Sequence, residues 1–290
     1  ARLIGAEDSE IGFIENATRA WDLAFYSLDF KPGDRILTCV SEYSSNYISY
    51  LQVAKKTGAE IVVVPDDKHG QIDLAALERA IDKHTRLVSI SHVPTQGGLV
   101  QPAEAVGKIV NDAGVLYLLD ACQSVGMMPI DVKKIGCDFL SATGRKYMRG
   151  PRGTGFLYAR TRSTSQIEPI FLDNHAARWT GDREYTVLGD AKRFENWERY
   201  FAGVIGLKVA ADQASYRASM RDWWNTMIVG RIRESRNIWY AVLWPDSTFT
   251  FLYTSGEPTG TTKAFIDFCL SPAGDAIVSK AGFVPLSIAK

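Results

Sequence analysis

Hydrophobic and polar positions alternate between two rhythms over the first 160 residues. Short apolar runs at Asp34–Cys39, Glu60–Val64, Arg86–Ser91 and Val115–Leu119, with others starting at Phe139 and Gly155, read as strands. Between them, Thr18–Leu28, Tyr47–Thr57, Asp73–Ile81 and Pro102–Ala113 carry the wider spacing of amphipathic helices. The punctuation agrees with this division. Gly58 stops one helix, Pro65 ends a strand, and Asp73 is placed to cap the next helix. Nearly continuous apolar strands separated by helices predict an α/β fold with a mostly parallel central sheet covered by helices on both faces. The right-handed crossover rule gathers the strand C-termini on one edge, where ligands of open α/β sheets bind.

The texture changes after about Ala214. Residues 215–240 are rich in aromatics and arginine, including Trp223, Trp224 and Trp239. Beyond them Phe249–Tyr253 reads as a strand, and Thr262–Leu270 and Gly274–Ala281 as short helices. The expected organisation is therefore a large domain over 1–214 and an atypical C-terminal α+β segment over 215–290. The chain begins at Ala1 rather than Met, which leaves a processed or incomplete N-terminus open.

Bulk composition narrows the partners. Lysine plus arginine and aspartate plus glutamate number 33 each, so the formal net charge is zero. Nothing in this balance calls for nucleic acid or an anionic membrane surface. No apolar stretch reaches the ~20 residues of a bilayer span, and no signal-peptide pattern is read. The four cysteines, Cys39, Cys122, Cys137 and Cys269, are widely spaced and form no metal-binding pattern. Reduced thiols in a cytoplasmic protein are the expectation.

Candidate chemistry centres on Lys146. It follows the apolar run at Phe139 in a turn of small and basic residues, Thr143-Gly144-Arg145-Lys146. Asp120 ends the preceding strand and Gln123 follows it. A lysine and an acid so placed suit pyridoxal phosphate: the amine can form a Schiff base with the aldehyde, and the acid can pair with the pyridinium nitrogen. The competing readings are a surface lysine among Arg145, Arg149 and Arg152, and an Asp120 that merely caps the next segment. The opening of the first helix, Glu15-Asn16-Ala17-Thr18, is either an ordinary cap or a phosphate cradle of backbone N–H groups and a hydroxyl. Tyr43 is either packing or a lid on a flat ring. The loop His92-Val93-Pro94-Thr95 has the look of a site, although a lone histidine such as His92 is usually structural. Arg193–Glu198 reads as a plain exposed turn with Trp197 as an anchor.

The stretch from Leu118 to Gly155 carries a resemblance. Leu118-Leu119-Asp120-Ala121-Cys122-Gln123-Ser124, Gly136-Cys137-Asp138-Phe139, Ser141-Ala142-Thr143-Gly144-Arg145-Lys146 and Gly150-Pro151-Arg152-Gly153-Thr154-Gly155 resemble the class V aminotransferases of fold-type I, in the cysteine-desulfurase and isopenicillin-N-epimerase-like branch. The resemblance covers 1–214. It implies a Schiff-base role for Lys146, a pyridinium partner in Asp120, and a Gln123 beside the phenolic oxygen. It places Ala17, Thr18 and Thr143 at phosphate-binding positions. Tyr43 stands where the family stacks an aromatic, often histidine. Arg145 replaces a frequent histidine, and Thr95 an asparagine beside the cofactor. These three departures argue against a standard cysteine desulfurase. The implied protein is a homodimeric pyridoxal-phosphate enzyme acting on an amino acid by transamination, epimerisation or C–S or β-elimination. The family's small-domain arginine and mobile cysteine have no match here. Residues 250–286 instead resemble the C-terminal end of periplasmic phosphate-binding proteins, through Thr254–Gly260, Leu270–Gly274 and Gly282–Pro285. Two alternatives stay open: a cofactor-fold protein without turnover, and a phosphate- or solute-binding module.

Overall fold

The computed structural model describes residues 1–95, 98–224, 239–241 and 252–253, together with Lys263, Asp267, Ser271 and Pro272. The chain divides into two compact units, Ala1–Ala218 and Ser219–Lys290. In the second, the described strands β10 (Trp239–Ala241) and β11 (Leu252–Tyr253) pair antiparallel. Most of the stretch expected to be a strand at Phe249–Tyr253, and nearly all of the two expected short helices, lie outside the described residues. So does most of 250–286, the stretch read from the sequence as similar to phosphate-binding proteins, a likeness that the comparisons with known proteins do not show.

The first unit is built on a seven-stranded sheet. Its strands are β1 (Ile11–Ile14), β2 (Arg35–Cys39), β3 (Glu60–Val64), β4 (Thr85–Ser91), β5 (Leu116–Asp120), β6 (Phe139–Thr143) and β7 (Gly155–Ala159). Their order is β1-β7-β6-β5-β4-β2-β3. The pairs from β3 to β6 are parallel, while β7 and β1 run antiparallel at one edge. The mostly parallel sheet read from the sequence is therefore present. The central strands β5, β6 and β7 are buried at every position, as strands covered on both faces must be.

Two apolar layers flank the sheet. Trp21, Ala24 and Phe25 of α1 (Ala17–Tyr26) pack with Tyr50 of α2 (Ser44–Thr57) on one side. On the other, Leu77 of α3 (Leu74–Ala80) and Val106 and Val110 of α4 (Ala103–Asp112) meet Val132 and Ile135 of the short helix α5 (Val132–Ile135). Asp73 caps α3 as expected, accepting a hydrogen bond from the Ala76 N–H. Helix α2 begins three residues earlier than the pattern suggested. Ser44, Ser45 and Asn46 read locally as turn residues, but the Tyr47 N–H already donates to the Tyr43 carbonyl in the first helical turn.

Two readings of the later chain are corrected. A β-hairpin, β8 (Ala177–Gly181) with β9 (Glu184–Val187), occupies a region where no strand was expected. Most of its residues are exposed, so no apolar alternation marks it in the sequence. The Arg193–Glu198 segment is exposed only over Asn196–Glu198, and its buried anchors are Arg193, Phe194 and Glu195 rather than the tryptophan. Arg193 is buried and donates to the carbonyls of Leu188, Thr164 and Ile167. Glu195 is buried and accepts from the Phe13 N–H and from His175, while Trp197 is exposed. The short helix α6 (Thr161–Thr164) is followed, beyond the hairpin, by the long α7 (Phe201–Trp224), which runs through position 214 without a break.

Candidate active site

The C-terminal ends of the parallel strands open onto a pocket of about 340 Å³, within the size range of small-molecule sites. Lys146, Asp120, Gln123, Ala17, Thr18, Tyr43, Thr95, Thr143 and Arg145 all line it. Residues more than a hundred positions apart therefore share one cavity.

Asp120 is the last residue of β5 and is buried. Its Oδ1 accepts the Cys122 N–H at 2.9 Å and its Oδ2 accepts from Asn46 Nδ2 at 3.0 Å. Burial pushes its carboxyl up from the usual range, while those two donors and the Lys146 ammonium pull the other way. The bond to Cys122 is a local turn bond: no helix follows Asp120 directly, so the helix-capping role weighed from the sequence does not apply, and each carboxylate oxygen carries one donor. Gln123 follows in the same turn, and its Nε2 donates to Thr95 Oγ1 at 3.3 Å.

Lys146 arrives from β6 through the turn 144–148 and is partly buried. Two glycines let that turn sit against its neighbours. Gly126, at φ 87°, closes the segment after Asp120, and a Cβ there would lie 2.7 Å from the Met148 nitrogen and the Tyr147 carbonyl carbon. The Asp120 turn and the Lys146 turn are thus pressed together by a close backbone approach that only glycine permits. At Gly155 a Cβ would lie 2.5 Å from the Ala142 carbonyl and 3.1 Å from Asn16 Cα, so glycine also lets the start of α1 approach the sheet.

That helix start forms the opposite wall. The Asn16 side chain accepts the Arg19 N–H, and Ala17 and Thr18 open the first turn. Thr143, Arg145 and Arg152 line the same cavity. A helix N-terminus, hydroxyls and two guanidinium groups make a donor set suited to a phosphate. The cavity thus offers a carboxylate and an amine besides an anion-binding wall. These are the groups that a phosphorylated pyridine aldehyde requires, so the residues present fit pyridoxal phosphate.

Sequence reasoning passed over four neighbours. Cys122 lines the cavity, and burial, with Asp120 nearby, pushes its thiol up to about 11. Ser91, at the end of β4 directly beside Asp120 in the sheet register, also lines it. Glu42 and Asn46 stand behind Asp120 in a hydrogen-bonded cluster. Only the contact to Asp120 across the fold would have marked them. His92 is structural: it is buried, its Nδ1 lies 3.0 Å from Ser124 Oγ, and desolvation lowers its pKa to about 4.

The family model of aminotransferase class V matches residues 1–225, and the chain belongs to that family. A probable cysteine desulfurase of Methanothermobacter thermautotrophicus is 35% identical over 212 residues, which are 73% of this chain and 53% of the relative. The apo structure of cysteine desulfurase from Thermococcus onnurineus NA1 superposes with a TM-score of 0.72 at 28% identity, covering 85% of this chain and 66% of that one. A complex between the cystine C–S lyase C-DES and its reaction product cysteine persulfide gives a TM-score of 0.68 at 25% identity, over 75% of this chain and 58% of that chain. The chain spans about half the length of the curated relatives it matches. Among the described residues no helix is long and apolar enough to cross a membrane.

Proposed function

We propose that the unit 1–218 is the cofactor domain of a pyridoxal-phosphate-dependent enzyme acting on an amino acid, with C–S bond cleavage as the favoured reaction. The cofactor is pyridoxal 5′-phosphate. The observation that carries this reading is the convergence of Lys146, Asp120 and the α1 N-terminus on one cavity. The preference for C–S cleavage rests on the names of the relatives. It stands despite Tyr43, Thr95 and Arg145, which depart from the desulfurase pattern.

When bound, the cofactor supplies an aldehyde that condenses with amines and a cationic ring that draws electron density from the substrate Cα. Lys146 would present the amine that anchors it and would accept and return the Cα proton of the substrate. Asp120 would hold the proton on the ring nitrogen through a charge-assisted hydrogen bond. Gln123, whose amide donates to Thr95, would serve the phenolic oxygen. Tyr43 would cover the ring face. Ala17, Thr18, Thr143 and Arg145 would hold the phosphate. A homodimer is part of the proposal, on the family resemblance, and sedimentation of the full chain tests it.

The decisive experiment is a titration of the purified chain with pyridoxal phosphate. A near-visible absorption band that borohydride bleaches with covalent retention of the cofactor is expected. Lys146→Ala should lose that retention. A chain that gives no band at saturating cofactor sinks the proposal. Because the chain spans about half of its relatives, a second reading is a cofactor domain without turnover of its own. Release of sulfide from free cysteine by the loaded protein separates the two.

A further inference from the structure

Behind Asp120 lies a second carboxyl that the reading above does not use. Glu42 sits between β2 and α2 and accepts five hydrogen bonds. Its Oε1 takes the Tyr43 N–H at 2.7 Å, Ser91 Oγ at 2.5 Å and Asn46 Nδ2 at 3.0 Å. Its Oε2 takes Thr38 Oγ1 at 3.0 Å and Tyr50 OH at 3.2 Å. The partner that matters is Asn46, which is buried. Its amide nitrogen also donates to Asp120 Oδ2 at 3.0 Å. One NH2 group therefore joins the two carboxyls, with a hydrogen for each.

A side-chain amide has two ends, one donating and one accepting. Rotated by half a turn, Asn46 would aim its carbonyl oxygen at Asp120 and repel it. The Glu42 oxygen accepts from the same nitrogen and disfavours that rotation. Ser91 braces the arrangement from the neighbouring strand, since its Cα is the register partner of Asp120. Among the described residues, the titratable groups that interact with Glu42 are Asp120, Cys39, Tyr50 and Tyr117.

We infer that Glu42 is a positioning residue for the cofactor site: through the shared amide of Asn46 it fixes the carboxylate of Asp120 against the ring nitrogen. This inference rests on the proposed cofactor reading. Asn46 supplies Asp120 with a hydrogen bond that stabilises its charged form, and Glu42 keeps that donor aimed.

The test is the dissociation constant of pyridoxal phosphate, read from the visible band of the full chain, without any turnover assay. Asn46→Ala should weaken binding about tenfold, the scale of one hydrogen bond to a charged group. Glu42→Ala should weaken it about fivefold, the scale of a neutral one. Glu42→Gln should bind like the wild type, because its carbonyl oxygen accepts the same Asn46 and Tyr43 donors. In an Asp120→Asn background the losses from Glu42→Ala and Asn46→Ala should vanish, since the residue they act through is already changed. Thermal melts identify the variants that fold. Wild-type affinity in folded Asn46→Ala and Glu42→Ala overturns the inference, as do losses that persist in the Asp120→Asn background. A loss in Glu42→Gln equal to that in Glu42→Ala also overturns it. If the wild-type chain itself binds no cofactor, the functional proposal fails, which is a separate result.

Discussion

Single residues in this site are set by what surrounds them rather than by what they are. Glu42 and Asp120 are both carboxyls at strand ends, and burial raises the pKa of each. Their hydrogen-bond partners are neutral amides and hydroxyls, which lessen the cost of the charge without cancelling it. The folded, cofactor-free protein therefore holds the Glu42 proton more tightly than the unfolded chain does. As pH rises from about 4.3, where an unfolded glutamate ionises, through the raised folded pKa, the wild type should lose stability. Glu42→Gln carries no such proton. Chemical denaturation of the two proteins across pH should show a difference that is absent below the unfolded pKa and grows in favour of the variant above it. Asp120→Asn should behave oppositely towards the cofactor. It removes the charge proposed to meet the ring nitrogen and should weaken binding about tenfold or more in the same absorbance titration.

At the scale of elements, small local devices decide how helices meet the sheet. Helix α4 crosses the end of α5 so closely that a Cβ on Gly107 would lie 1.7 Å from the Ile135 carbonyl oxygen. Gly107→Ala would ordinarily favour a helix, yet here the backbones must separate. The variant should lose about 3 kcal/mol in urea unfolding, the upper range of an overpacked core. The Asp73 cap of α3 lies outside the pocket lining, and Asp73→Ala should cost about 1 kcal/mol while leaving cofactor affinity unchanged. The sheet gives each strand a separate duty. β5 delivers Asp120, β4 delivers Ser91 beside it, and β6 leads to the Lys146 turn. Ser91 and Asp120, at the ends of adjacent strands, are held in register by the ladder, so their spacing does not depend on loop conformation.

For the whole molecule, the site and the core are one cooperative structure. The pocket draws its walls from α1, β4, β5, β6 and the loop before α2, so it exists only when the first unit is folded. A ligand that binds only this folded state must stabilise it by mass action. Pyridoxal phosphate at a hundred times its dissociation constant should add about 2.7 kcal/mol and raise the melting temperature, and Asp120→Asn should shrink that rise at the same concentration. Such a shift would also show that this chain, whose match spans about half the length of its relatives, binds the cofactor.

Much of this was legible before any coordinates. Apolar runs and their punctuation marked the parallel strands and the helices between them, because burial on both faces demands an unbroken apolar strand. The spacing of Asp120, Gln123 and Lys146 around one strand showed which residues would share an edge. Other features were invisible because they depend on partners distant in sequence. The hairpin β8–β9 lacks an apolar face, and Arg193 looks like any surface arginine until three carbonyls close around its guanidinium. Glu42 and Asn46 stand in a polar stretch of the sequence that gives neither of them a signal of its own. Only the sheet, by placing β4 between β2 and β5 and so gathering their ends on one edge, turned them into the support for a charge 74 residues away from Asn46 along the chain.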